Sequence, residues 1–85
     1  MEVLAISPHA PKVKRAIDQV INAAGIKSAN GLARRLDVSK QAMSKWRTTG
    51  YVPPLRALQM EMLADSQVTW RQLLPDIAEK AIDEF

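Results

Sequence analysis

A short stretch in the middle of the chain carries hydrogen-bonding side chains at the spacing of one helix face. The predicted helix runs from about Lys40 to Arg47, with Met43 and Trp46 on its opposite, apolar side. The polar set is Lys40, Gln41, Ser44 and Lys45. Ammonium, amide and hydroxyl groups can hydrogen-bond to base edges in the DNA major groove. The spacing therefore favours a base-reading helix, the alternative being the polar surface of a helix in an unrelated bundle.

A second predicted helix, from about Ala29 to Leu36, must hold this face in position. Ser28 and Ser39 are suited to cap the first turns of the two helices, because a serine oxygen can accept from an unpaired backbone N–H. Asp37-Val38 would then reverse the chain between them. The apolar residues expected to form one shared seam are Leu32, Ala33, Leu36, Val38, Met43 and Trp46.

This pattern resembles a known family. The run Leu32-Ala33-x-x-Leu36-x-Val38-Ser39-x-x-Ala42-Met43-Ser44-x-Trp46, followed by Val52-Pro53, is similar to the Cro/repressor-type, lambda-repressor-like helix-turn-helix of phage regulators, and most of all to YdaS-like Cro proteins. The resemblance covers roughly Val13 to Ile77. The family usually has glycine where this chain has Asp37, which accepts a left-handed backbone less easily. It often has glutamine where Ala29 lies, so one expected phosphate contact is missing.

Other polar residues around the helix pair are candidates for the DNA backbone. Asn30 lies in a first helical turn, where free amides favour a phosphate, and Arg47 and Thr48 would lie at the mouth of the groove. Arg56 is added by family analogy. The full predicted phosphate-binding set is Ser28, Asn30, Ser39, Arg47, Thr48 and Arg56.

Charge is unevenly distributed along the 85 residues. Up to Arg56 there are ten basic and three acidic residues, and the remainder is net acidic, so that the whole chain carries +3. A basic section beside an acidic tail indicates a polyanion-binding face, although a solvated face with a chance imbalance is the alternative. The chain has no cysteine, no apolar run of membrane-spanning length and no signal-like N-terminus, so a cytoplasmic location away from membranes is expected.

The predicted fold is all-α: a small five- or six-helix lambda-repressor-like bundle containing the helix-turn-helix. The expected domains are a flexible N-terminal arm at 1–10 that includes a candidate strand, a DNA-binding domain at 11–74 and an acidic amphipathic C-terminal helix at 75–85. The other predicted helices are Pro11 to Ala24, Pro54 to Ala64 and Trp70 to Leu74. For the helix from Pro54, the residues expected inside are Leu55, Leu58, Met62 and Leu63 or Ala64. We expect the C-terminal helix to pack on a second subunit rather than fold back.

Enzymatic chemistry is not expected. His9 is the single histidine, with no cysteine nearby, and is interpreted as an exposed loop residue rather than a metal ligand or general base. No phosphate-cradling glycine loop is recognisable. The sequence therefore predicts no catalytic residue, no metal site and no cofactor.

The leading hypothesis is a sequence-specific DNA-binding transcriptional regulator, a Cro-like repressor of phage or prophage origin. A module this small should bind a pseudo-palindromic double-stranded operator as a homodimer. The alternative is an antitoxin-like protein whose C-terminal tail binds a protein partner and which regulates its own synthesis through DNA binding. RNA binding is less favoured, because exposed aromatics suited to stacking are lacking.

Overall fold

The computed structural model describes the backbone of residues 6–83 and the side chains of residues 6–80. This part of the chain is all-helical, as predicted. Its six helices, in chain order, are α1 (Ala10–Ala23), α2 (Ala29–Arg35), α3 (Lys40–Thr49), α4 (Pro54–Leu63), α5 (Trp70–Leu73) and α6 (Pro75–Asp83). Among the described residues, no helix combines the length and apolarity needed to cross a bilayer.

Helix α1 is the centre of the bundle and contacts α2, α3, α4 and α5. Val13, Ile17 and Val20 are completely buried, and they follow the helical period that the sequence predicted. Pro11 lies in the first turn, where a missing N–H leaves no hydrogen bond unmade. Gly25 has a φ of 69° directly after the C-cap Ala24, which is the left-handed exit expected of glycine.

The pair α2 and α3 is built as the sequence predicted. The Ser28 hydroxyl oxygen accepts from the Gly31 N–H at 3.1 Å, and the Ser39 hydroxyl oxygen accepts from the Ala42 N–H at 3.0 Å. Asp37 takes the left-handed turn position, with a φ of 57°. The predicted seam forms: its members Leu32, Ala33, Leu36, Met43 and Trp46 are buried, and Val38 packs against them partly buried.

The buried face of α4 differs from the prediction. Leu55, Leu58 and Met62 are 63%, 48% and 80% exposed, and the expectation that they point inward is wrong. The residues that enter the core are Ala57 and Met60, followed at the C-cap by Ala64, for which the prediction of an inward position is confirmed. Both sets follow the same i, i+3, i+7 spacing, so periodicity alone does not choose between them. The small alanines allow α4 to approach the bundle closely, and the larger side chains are left outside.

The N-terminal segment is packed from Ser7 onward. Ser7 and Ala10 are buried, and the Ser7 N–H donates to the Thr49 carbonyl at 2.7 Å. The expectation of a flexible arm is therefore wrong for residues 7–10. Residues 1–5, with most of the candidate strand, lie outside the described residues.

The C-terminal helix folds back on its own domain over the part that is described. The Ser7 hydroxyl donates to Asp76 Oδ2 at 2.8 Å, and His9 Nε2 lies 2.9 Å from Glu79 Oε1. The described part of α6 thus makes contacts within its own chain, whereas its packing on a second subunit stays a prediction. His9 is likewise not an exposed loop residue, since its side chain is only 20% exposed.

Candidate nucleic-acid interface

The outward face of α3 carries the four predicted base-reading side chains. Lys40, Gln41, Ser44 and Lys45 are all exposed, whereas Met43 and Trp46 on the opposite face are buried. Within residues 6–80, none of these four side chains forms a hydrogen bond or ion pair with the rest of the protein. Their donors and acceptors are thus available to an external partner.

Both ends of α3 are fixed by specific contacts. Ser39 caps the first turn, and Gly50 ends the helix in a left-handed conformation with a φ of 79°. The buried Thr49 hydroxyl donates to the Lys45 carbonyl at 2.8 Å, inside the last turn. The sequence suggests Thr49, with Arg47 and Thr48, as a phosphate contact at the mouth of the groove, but Thr49 is buried and bonded within its own helix. The fixed ends hold the exposed face of α3 in one orientation.

The smaller members of the predicted phosphate-binding set lie on the surface. Ser28, Asn30, Ser39 and Thr48 are exposed. The oxygens of Ser28 and Ser39 already accept capping hydrogen bonds, but each hydroxyl proton can still be donated to an anion. The first turns of α2 and α3 therefore combine exposed hydroxyl and amide donors with the positive ends of two helix dipoles.

Arg47 is engaged by an acidic residue of α1. Its Nη2 lies 3.0 Å from Asp18 Oδ1, and the two side chains are 31% and 46% exposed. Its Nε is buried without a hydrogen-bond partner among the described atoms. Asp18 partly neutralises this cation. A phosphate that binds Arg47 must therefore either displace the Asp18 carboxylate or share the guanidinium with it. No local sequence signal indicates this pair, because its members are 29 positions apart.

Arg56 also makes contacts inside the protein. Its Nη1 donates to the Leu36 carbonyl at 2.8 Å and to Gln59 Oε1 at 3.0 Å. Leu36 is the C-cap of α2, so the guanidinium satisfies a carbonyl that the helix itself leaves unpaired. Arg56 thereby joins α4 to the end of α2, a structural contact that the family analogy did not predict.

Two open depressions of the described surface contain no evident catalytic set. One of about 490 Å³ is lined by uncharged residues: Gln19, Asn22, Ala23, Gln67, Val68 and Gln72. Another, of about 440 Å³, brings together Lys12, Arg15 and Arg71. Neither lining includes a carboxylate, histidine or serine that could serve as a base or nucleophile.

Comparison with known proteins places the chain in one family. No match to this chain was found among the curated proteins or among the solved structures. One family model does match it, over residues 17–82, which is most of the chain and runs from α1 to α6. The matched range includes α2, α3 and every candidate interface residue described above. The chain therefore belongs to the family described as "Bacterial toxin YdaS".

Proposed function

We propose that the protein is a sequence-specific DNA-binding transcriptional regulator of phage or prophage origin, acting as a Cro-like repressor. The observation that carries the proposal is the exposed face of α3, where four hydrogen-bonding side chains have no partner within the described part of the chain. A helix with apolar anchors inward and amide, hydroxyl and ammonium groups outward is what major-groove reading requires.

In the proposed complex α3 lies in the major groove. Gln41 can pair its amide with the donor and acceptor of adenine, and Lys40 and Lys45 favour the acceptors of guanine. Asn30 and Thr48, together with the capping serines, contact phosphates and fix the register without reading sequence. The cations of the first two-thirds of the chain supply the sequence-independent part of the affinity.

We further propose that two copies bind one pseudo-palindromic operator, with half-sites about 34 Å apart. The uncharged stripe Leu55, Leu58 and Met62 on α4 supports a second copy as the partner. Residues at i, i+3 and i+7 form one apolar line along a helix, and the same line on a twofold-related copy is complementary to it. The proposed site of action is the cytoplasm, where the DNA is, and the proposed role is non-catalytic.

The deciding experiment is selection of bound duplexes from a random DNA pool at about 0.15 M salt, where purely electrostatic capture is suppressed. Enrichment of a palindromic motif with half-sites one turn apart is the expected result. A folded protein that enriches no motif would refute the proposal.

Gln41→Ala tests base reading at a single residue. Because Gln41 is exposed and makes no described contact within the protein, its truncation should leave stability unchanged. We expect specific affinity to fall by about 1–3 kcal/mol, with non-specific affinity nearly unchanged. Fluorescence anisotropy with operator and scrambled duplexes measures both. Gln19→Ala, an exposed glutamine on α1, is the matched control. Equal losses on the two duplexes for Gln41→Ala would rule out base reading.

A second candidate function is suggested by the family description, which contains the word toxin. In that case the chain would act within a toxin–antitoxin pair through a protein partner, and DNA binding would serve autoregulation. Measuring the growth of cells in which expression of the protein is induced distinguishes the two candidate functions. An effect on growth that is lost in Gln41→Ala supports action through DNA, whereas an effect that persists in this variant supports the protein partner.

A further inference from the structure

Three potential metal ligands from opposite ends of the described chain meet in one place. The ligand atoms of His9, Asp76 and Glu79 all lie within 4.8 Å of one another. His9 Nε2 is 2.9 Å from Glu79 Oε1 and 3.9 Å from Asp76 Oδ1. Ligand atoms about 2.0–2.2 Å from a shared Zn²⁺ would be roughly 3–4 Å apart, so these separations need little adjustment.

The surroundings of the cluster favour a cation. Among residues 6–80, no lysine or arginine nitrogen lies within 4.0 Å of the Asp76 or Glu79 carboxylate. The buried Ser7 hydroxyl donates to Asp76 Oδ2, which leaves Oδ1 directed towards His9. A hydrogen bond that orients a ligating carboxylate is typical of the outer layer of metal sites.

We propose that His9, Asp76 and Glu79 bind a divalent transition-metal ion of the zinc class. An imidazole nitrogen with two carboxylate oxygens suits Zn²⁺, and selects against Mg²⁺ and Ca²⁺, which prefer all-oxygen shells. Three protein ligands leave a fourth position of the tetrahedron to water. The side chains of His9, Asp76 and Glu79 are 20%, 34% and 63% exposed, so an ion can enter from solvent.

The bound ion would connect α6 to the N-terminal segment that packs against the end of α3. The Ser7 hydroxyl contacts Asp76, and the Ser7 backbone N–H contacts Thr49. Ser7 therefore links the cluster to the last residue of α3. Metal binding is therefore expected to hold α6 against the rest of the domain. It should also raise the melting temperature of the protein, since a ligand that binds only the folded state stabilises that state.

Isothermal titration of the untagged protein with ZnCl₂, together with NMR of the imidazole, tests the site directly. His9 is the single histidine and there is no cysteine, so a change in the imidazole resonances reports on this site alone. We expect one saturable site, a shift of the His9 resonances and no comparable response to MgCl₂.

Variants assign the ligands. His9→Gln and Glu79→Gln should each weaken Zn²⁺ binding about tenfold or more, while Asp65→Asn, an exposed carboxylate in the loop before α5, should bind as the parent does. Far-ultraviolet circular dichroism verifies that each variant is folded. Absence of saturable binding, or unchanged binding by folded His9→Gln, would overturn the proposal.

Discussion

Gly50 and Gly25 form a natural pair for testing how the end of α3 is held. Both have left-handed backbones, with φ values of 79° and 69°, so alanine is strained at either position. A Cβ on Gly25 would meet no atom within 4 Å, but on Gly50 it would lie 2.7 Å from the Ala10 Cα and 3.1 Å from the Ser7 Cβ. The left-handed conformation costs an alanine about 1–2 kcal/mol, of which roughly 0.5 is offset in the unfolded chain. Gly25→Ala should therefore lower the free energy of unfolding by about 1 kcal/mol.

Gly50→Ala adds a steric conflict with the backbone at Ala10, which a side-chain rotation cannot relieve. Overpacking of this kind costs about 1–3 kcal/mol, so we expect a total loss of about 3 kcal/mol. Urea unfolding followed by circular dichroism measures both variants, and an unchanged m-value would show that the reference state is the same. Equal losses for the two variants would refute the close packing of the N-terminal segment on the end of α3.

Three further substitutions test separate parts of the structure. Asp37→Gly should stabilise the fold by about 0.5 kcal/mol in the same urea assay, because glycine adopts the φ of 57° without strain; destabilisation would contradict this. Asp18→Asn should free Arg47 to bind a phosphate, and binding to any duplex should then become stronger. In a titration at several salt concentrations, the salt dependence of the affinity should become steeper by about one unit. Weaker binding would instead mean that Asp18 positions Arg47. Met62→Glu should weaken self-association about tenfold or more, as measured by sedimentation equilibrium, and should leave the stability of the monomer unchanged. Unaltered dimerisation would exclude the stripe on α4 as the interface.

Local signals in the sequence were enough to predict the helix pair and its caps. Ser28 and Ser39 lie three residues before the amides that they cap, and a pattern of this range can be recognised from neighbouring residues alone. The face of α1 was predictable because its apolar residues form a single stripe. The exposure of the α3 polar face followed from the burial of Met43 and Trp46 opposite to it.

Contacts between distant residues could not be predicted in this way. The Arg47–Asp18 pair joins residues 29 positions apart, and the Arg56 contact with Leu36 spans 20. The sequence predicts both arginines only as phosphate ligands. Nothing in the residues near an arginine indicates that its side chain will bond to a distant part of the same chain. The face of α4 was missed for a different reason: two apolar stripes with identical spacing compete, and the choice depends on how closely neighbouring helices approach.

The hydrogen bond between Ser7 and Asp76 also has a consequence for the order of folding. It joins residues 69 positions apart, nearly the whole described chain. Closing a flexible loop of that length carries an entropic penalty of about 4 kcal/mol, which is more than the net stabilisation that one hydrogen bond provides. The contact therefore cannot nucleate folding. We expect it to form once α1 to α5 have brought its two ends together, and to be among the first contacts to open. Helix α6 can then detach and return as a unit while the helices that carry the candidate interface stay folded.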